Sequence, residues 1–134
     1  MTDHHSALIH AMVLASAADR EMTDTELRRI GQIVERLPAF EGFDTDTLAH
    51  RAAECAELLN ADDGLETVLD AIRDALPEKL RETAYAVACE IVVADGRIAQ
   101  EELRLLEMLA GRLPIDRLAA AAIERGARAR HMTL

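Results

Sequence analysis

Aromatic residues, glycine and proline are scarce in this chain. Its 134 residues include no Trp, one Tyr and two Phe, with six Gly and three Pro. Half of the residues are apolar, and Ala and Leu dominate them. This composition favours an all-helical protein over a β-rich one, because strands and their turns draw on the residues that are rare here. At this length we expect a single domain over residues 1–134.

The sequence also shows no pattern typical of a metal or redox cysteine site, a membrane-spanning helix or a signal peptide. Cys55 and Cys89 lack the Cys-x-x-Cys spacing of zinc or redox sites, so we expect two reduced core residues. The longest apolar run, 84–94, is broken by Glu90 and is too short to cross a bilayer, and residues 1–6 do not resemble a signal peptide. We therefore expect a cytoplasmic protein without direct membrane insertion.

Positive charge is in short supply, since 25 acidic residues face 15 basic ones and the net charge is −10 at pH 7. Residues 1–80 hold 17 acidic and 7 basic residues, whereas residues 81–134 hold 8 of each. Nucleic-acid binding needs a basic footprint and stacking aromatic rings, so this balance argues against it. An acidic first part fits a basic or membrane-associated protein partner instead.

An acidic stretch of ten residues occurs twice. Residues 94–103 align with residues 18–27 at a constant offset of 76, with matches at Ala, Asp, Glu and Leu. The tripeptide Arg-Leu-Pro at 36–38 recurs at 112–114 with the same offset. Because each stretch joins two apolar runs with helical spacing, the sequence predicts an internally duplicated helix–turn–helix.

Hydrophobic periodicity predicts seven helices, over about residues 4–18, 23–37, 45–59, 63–76, 78–95, 100–113 and 115–128. The fifth is the most apolar and should be central. A capping box is expected at Thr23 and Glu26, a similar cap at Asp63 and Glu66, and a left-handed C-cap at Asn60. The predicted core stripes include Leu103, Leu106, Ala110 and Leu113 in the sixth helix and Leu118, Ala119, Ala122 and Ile123 in the seventh. His4, His5 and His10 should be solvated.

The repeated turns pair Asp19 with Glu26 and Asp95 with Glu102, and two interpretations of these pairs are open. An Asp at a helix C-terminus faces the negative end of the helix dipole, which costs up to about 1 kcal/mol. Backbone N–H groups of the following turn can offset this cost, with Gly96 in a left-handed conformation, and the turn is then purely structural. Alternatively, each Asp shares a hard cation, Ca²⁺ or Mg²⁺, with the Glu seven residues on.

The spacing of the second copy matches the trailing half of a calcium-binding EF-hand loop. With Asp95 at position 5 of such a loop, Gly96 and Glu102 fall at positions 6 and 12. Positions 1 and 3 would be Ile91 and Val93, so the leading ligands are missing and only a low-affinity site is expected. If the two turns meet in space, their four carboxylates would repel one another unless a cation or protons intervened.

The run Asp95-Gly96-Arg97-Ile98 with Glu102 and Leu103, followed by a Leu-rich helix that ends Gly111-Arg112-Leu113-Pro114, resembles the TerB-like family of tellurite-resistance proteins. The resemblance is strongest over residues 65–120 and recurs over 8–38. It implies an internally repeated all-helical fold, shared with the N-terminal domain of the DjlA co-chaperone. It also implies a role in chemical stress, acidic residues that bind divalent cations, and membrane-linked or multiprotein complexes.

We therefore expect a non-enzymatic stress-response or scaffold protein that binds divalent cations weakly at the two acidic turns. The alternative is a pure protein-interaction module in which an acidic ridge on the fourth helix docks a basic partner; the ridge comprises Asp63, Glu66, Asp70 and Asp74. Either reading is compatible with a homodimer. Catalysis is not expected, since the chain has no nucleophile elbow, no phosphate-binding glycine loop and no clearly paired Cys and His.

Overall fold

The computed structural model describes residues 3–16, 23–94 and 98–134, which contain seven α-helices and no strand. The helices are α1 (His4–Ser16), α2 (Asp24–Arg36), α3 (Leu48–Asn60), α4 (Gly64–Ala75), α5 (Arg81–Val93), α6 (Gln100–Arg112) and α7 (Arg117–Arg130). Short 3-10 turns at Pro38–Phe40, Thr45–Thr47 and Glu78–Leu80 lead between them. The prediction of an all-α fold with seven helices is confirmed. None of the helices in the described ranges is long and apolar enough to span a bilayer.

Two apolar helices, α1 and α5, form the centre of the core. Every residue from Ala7 to Ser16 of α1 is buried, and α5 buries eight of its thirteen residues. The central position of the fifth helix was predicted, and α1 shares that position. It is enclosed because α3, α4, α5 and α6 all pack around it. A helix that is apolar on all sides needs such a position.

The buried faces of the last two helices differ from the predicted stripes. In α6 the core side chains are Leu106 and Leu109, with Leu113 just beyond the helix, whereas Leu103 is 41% exposed. In α7 Leu118 is 80% exposed, and Ala120 and Ala127 face the core instead. The predictions for Leu103, Leu118 and the exposed Ala122 are therefore wrong, because the sides on which neighbouring helices pack decide which apolar residues are buried.

The connection between α3 and α4 differs from the prediction in its left-handed residue and its cap. Asn60 stays within α3, and the left-handed residue is Asp63, with φ 57°. Asp63 precedes α4 but its side chain makes no capping hydrogen bond, so the predicted cap with Glu66 is wrong. The strained conformation allows the chain to reverse between the two helices over very few residues.

The histidines near the N-terminus are not solvated as expected, because they belong to α1. His10 is only 4% exposed, and its Nδ1 has no hydrogen-bond partner within the described residues. The His5 ring lies 5.7 Å from the ring of Phe40 and 5.3 Å from that of Phe43, measured between centroids. Burial lowers the pKa of both imidazoles, so both favour the neutral form.

Candidate functional site

The N-termini of α2 and α6 are equivalent positions of the repeat, and their first turns are built alike. The Thr23 hydroxyl accepts a hydrogen bond from the Glu26 backbone N–H at 3.1 Å, and the Glu26 carboxylate accepts one from the Thr23 N–H at 3.0 Å. The predicted capping box is thus confirmed. In the second copy the Glu102 carboxylate accepts from the Ala99 N–H at 3.0 Å. Ala99 carries no hydroxyl, so only half of the box exists there.

These two capping glutamates line one depression, which we call the acidic cleft. It has a volume of about 540 Å³ and lies where α1 ends and where α2 and α6 begin. Glu26, Glu101 and Glu102 contribute carboxylates to its lining, together with Arg29 and Ser16. The structure therefore brings the glutamates of the two acidic turns to the same site. Asp19 and Asp95 lie outside the described residues.

The end of α1 supplies a buried polar atom to this cleft. Ser16 is 9% exposed, and its Oγ has no hydrogen-bond partner within the described residues. A buried hydroxyl without a partner carries a desolvation cost of about 1–3 kcal/mol. Sequence reasoning missed Ser16, although its position as a polar residue within an otherwise apolar run was a usable signal.

Negative charge prevails in the acidic cleft. Among the described residues that line it are three carboxylates and one guanidinium, that of Arg29, which lies one turn after Glu26 on α2. The N-termini of α2 and α6 carry the positive poles of their helix dipoles, which favour ionised glutamates in the first turn. Within residues 3–16, 23–94 and 98–134 no three His, Cys, Asp or Glu side chains are grouped so that they could hold a metal ion by themselves.

Arginines of the same chain form ion pairs with part of the acidic ridge on the fourth helix, here α4. Arg112 of α6 donates hydrogen bonds to Glu66 and Asp70, and Arg73 pairs with Asp70 and Asp74. Arg112 belongs to the repeated Arg-Leu-Pro tripeptide, and its counterpart in the first copy is Arg36 of α2. Sequence periodicity could place these carboxylates on one face of α4, but it could not reveal the arginine that crosses from α6.

The two cysteines and the single tyrosine are buried core residues. Cys55 and Cys89 are free and buried, as expected, and burial raises the pKa of each thiol to about 12. Both cysteines are therefore protonated at neutral pH and poorly nucleophilic. The Tyr85 hydroxyl donates to Glu124 of α7 at 2.7 Å, and burial followed by this bond raises its pKa.

Glu90, which breaks the apolar run of α5, pairs with an arginine of α7. Its carboxylate accepts a hydrogen bond from Arg130 Nε at 2.7 Å, and the His131 Nε2 lies 2.7 Å from its other oxygen. His131, just beyond α7, is held against α5 by this contact. The paired carboxylate therefore connects the end of α7 to α5.

Comparison of the sequence with known protein families gives a match that covers most of the chain. The family model described as tellurite resistance protein TerB matches residues 5–125, which include the buried part of α1, both capping glutamates and most of α7. Neither the curated proteins nor the solved structures gave a match to the chain.

Proposed function

Because this chain belongs to the TerB family of tellurite resistance proteins, we propose that it is a non-enzymatic stress-response or scaffold protein that binds Ca²⁺ or Mg²⁺ weakly in the acidic cleft. The observation that carries the proposal is the meeting of Glu26 and Glu102 in one cleft. The sequence had left open whether the two acidic turns approach each other, and a shared cleft is what a shared cation requires.

The chemistry of the cleft suits a hard cation. Ca²⁺ and Mg²⁺ take oxygen ligands, and the cleft offers carboxylates and the Ser16 hydroxyl. One oxygen of Glu26 and one of Glu102 already accept from backbone N–H groups, so each carboxylate is oriented before a cation arrives. Asp19 and Asp95, which precede the two helices in sequence, would supply the remaining charge.

The affinity should be low for two reasons. Arg29 places a positive charge in the same cleft, where it opposes a bound cation. One oxygen of Glu26 and one of Glu102 are engaged in helix caps, so a cation must compete with existing contacts of these carboxylates. We therefore expect a dissociation constant of roughly 10⁻⁴–10⁻³ M, the range of weak calcium modules.

An NMR titration of the isotope-labelled protein with CaCl₂ and with MgCl₂ tests this proposal. Saturable shifts are expected in the amides of residues 20–26 and 96–102, because the ligands cap the helices that begin there. The combined substitution Asp19→Ala and Asp95→Ala should abolish these shifts, and Glu26→Gln should weaken them.

The matched control is Glu107→Gln, which removes one carboxylate from the exposed side of α6 and should leave the titration unchanged. Shifts that grow linearly with salt and survive the double Asp substitution would overturn the cation proposal. The acidic turns would then serve the fold alone, and the protein-interaction reading would take precedence.

A further inference from the structure

A second depression, which we call the α2–α5 groove, lies between α2 and α5 and is closed at one end by the last residues of α7. Its volume is about 600 Å³. The floor is aliphatic, with Ile33 and Leu37 from the α2 side and Val87 and Ile91 from α5. Val87 and Ile91 lie about one turn apart on α5, whereas Ile33 lies in the last turn of α2 and Leu37 just beyond it. This is the shape into which the apolar face of another helix fits.

Arginines stand along the rim of this groove. Arg29 and Arg36 line it from α2, and Arg130 lines it from α7, whereas Glu90 is its only carboxylate among the described residues. Arg130 is already paired with Glu90. Neither Arg29 nor Arg36 forms an ion pair with any residue in the part of the chain that the structure describes.

Eight of the twelve arginines in the described residues have no ion pair, and Arg29 and Arg36 are the two of these eight that line the groove. Carboxylates are abundant elsewhere on the surface, yet none of those described compensates these two. Arg112, the counterpart of Arg36 in the second copy, binds Glu66 and Asp70. The first copy therefore has the same arginine without an ion pair among the described residues, which leaves its guanidinium for a ligand.

The spacing of Arg29 and Arg36 indicates how the anionic groups of a ligand must be spaced. Arg29 and Arg36 are seven residues apart, about 10 Å along the axis of α2, and Ile33 lies between them. A ligand that satisfies both must carry two anionic groups about two helical turns apart with apolar groups between them. A fatty acid has a single anionic head and could satisfy only one of the two.

We propose that the α2–α5 groove binds an acidic amphipathic helix of a partner protein. Apolar side chains of that helix lie on the aliphatic floor, and two carboxylates seven residues apart pair with Arg29 and Arg36. The partner is thus acidic, opposite in sign to the basic partner expected from the acidic ridge. The proposal does not require the acidic cleft to bind a cation, although Arg29 and Ile91 line both depressions.

Fluorescence anisotropy with a synthetic labelled peptide tests the proposal. The probe is an 18-residue helical peptide with Leu at i and i+4 spacing and Glu at seven-residue spacing beside the Leu face. Saturable binding is expected, and it should weaken as NaCl is raised. Arg36→Glu should lower the affinity at least tenfold, because it replaces a paired cation with a repelling carboxylate.

The matched control is Arg28→Glu, which makes the same charge change on α2 at an exposed residue outside the groove lining. It should leave binding within about twofold. A second variant, Ala86→Gln, extends a side chain from the groove lining and should also weaken binding. Circular dichroism of each variant checks that the fold is intact.

Three results would overturn the proposal. One is equal binding of a peptide in which Lys replaces every Glu. Another is equal loss of binding in Arg28→Glu and Arg36→Glu, which would reflect net charge alone. The third is no peptide binding together with Arg36-dependent binding of dodecanoate or of phosphatidylglycerol vesicles, which would assign the groove to a lipid. Arg36 does not line the acidic cleft, so this outcome is independent of cation binding.

Discussion

At the scale of single residues, Gly64 shows how a tight connection selects an amino acid. It is buried at the start of α4, and a Cβ placed on it would lie 2.4 Å from the carbonyl oxygen of Leu58 and 2.5 Å from that of Leu59. Both atoms belong to the backbone of α3 and cannot rotate away. The absence of a side chain is therefore what allows α4 to begin so close to the end of α3.

Gly64→Ala should destabilise the protein by about 1–3 kcal/mol, because one of the two helices must shift to admit the methyl group. The control is Gly111→Ala in α6, where an added Cβ meets nothing within 4 Å. That change should stabilise the protein by roughly 0.5–1 kcal/mol through helix propensity. Urea unfolding of both variants measures the difference. Equal effects of the two substitutions would contradict the role assigned to Gly64.

At the scale of helices, the duplication is most visible in the first turns of α2 and α6. Thr23 and Ala99 occupy equivalent positions and have nearly the same backbone angles, with φ and ψ of −82° and 163° in Thr23 and −79° and 157° in Ala99. Both helices also keep the returning glutamate three residues later. Only the hydroxyl is missing from the second copy, where the Glu102 N–H donates to the Ala99 carbonyl oxygen at 3.1 Å instead of to a side chain.

Ala99→Thr should complete the capping box of α6 and raise the free energy of unfolding by roughly 1 kcal/mol. Thr23→Ala should lower it by a similar amount by removing the equivalent bond. Ala53→Thr, at an exposed position inside α3, is the control and should cost a few tenths of a kcal/mol through lower helix propensity. Thermal and urea unfolding report all three. The interpretation fails if Ala99→Thr destabilises the protein as Ala53→Thr does.

At the scale of the whole molecule, the enclosure of α1 places a titratable group in the core. His10 lies beside α3, where the Cys55 Sγ is 4.0 Å from its backbone carbonyl oxygen. Burial is the largest influence on its imidazole and lowers its pKa below the ordinary 6.5, with Glu54 and Asp3 acting in the opposite direction and Arg51 reinforcing the shift. Protonation of His10 is therefore coupled to the integrity of the helical core.

Stability should fall as pH is lowered below about 6.5. The unfolded chain binds a proton on His10 near that pH, whereas the folded protein keeps the ring neutral to lower pH, so acid favours the unfolded state. His5, whose pKa is also lowered chiefly by burial, contributes with the same sign. His10→Gln should flatten the dependence of the unfolding free energy on pH between 7 and 5, as measured by urea unfolding.

The slope with pH is the readout, because His10→Gln also changes packing and can lower stability at every pH. Met12→Leu, a substitution in the buried part of α1 that removes no titratable group, is the control for packing and should retain the slope of the unmodified protein. An unchanged slope in His10→Gln would show that the acid sensitivity arises elsewhere.

Local patterns in the sequence determined the all-α class, the seven helices and the capping box of α2, because each depends on residues within a few positions of one another. They also identified the repeat and its four acidic residues. Tertiary structure alone decided which apolar residues are buried. Leu109 rather than Leu103 and Ala120 rather than Leu118 face the core, because neighbouring helices pack against that side of α6 and α7.

For the candidate sites, too, the sequence determined which residues could take part, and the tertiary structure determined which of them meet. Glu26 and Glu102 could be named from their spacing, but their meeting in one cleft depends on how α2 and α6 pack around the end of α1. The two arginines of the repeated Arg-Leu-Pro tripeptide look equivalent in sequence. Arg112 finds two carboxylates on α4, while Arg36 has no ion pair within the described chain. A charge is paired or available according to which helix lies opposite, and only the packed structure contains that information.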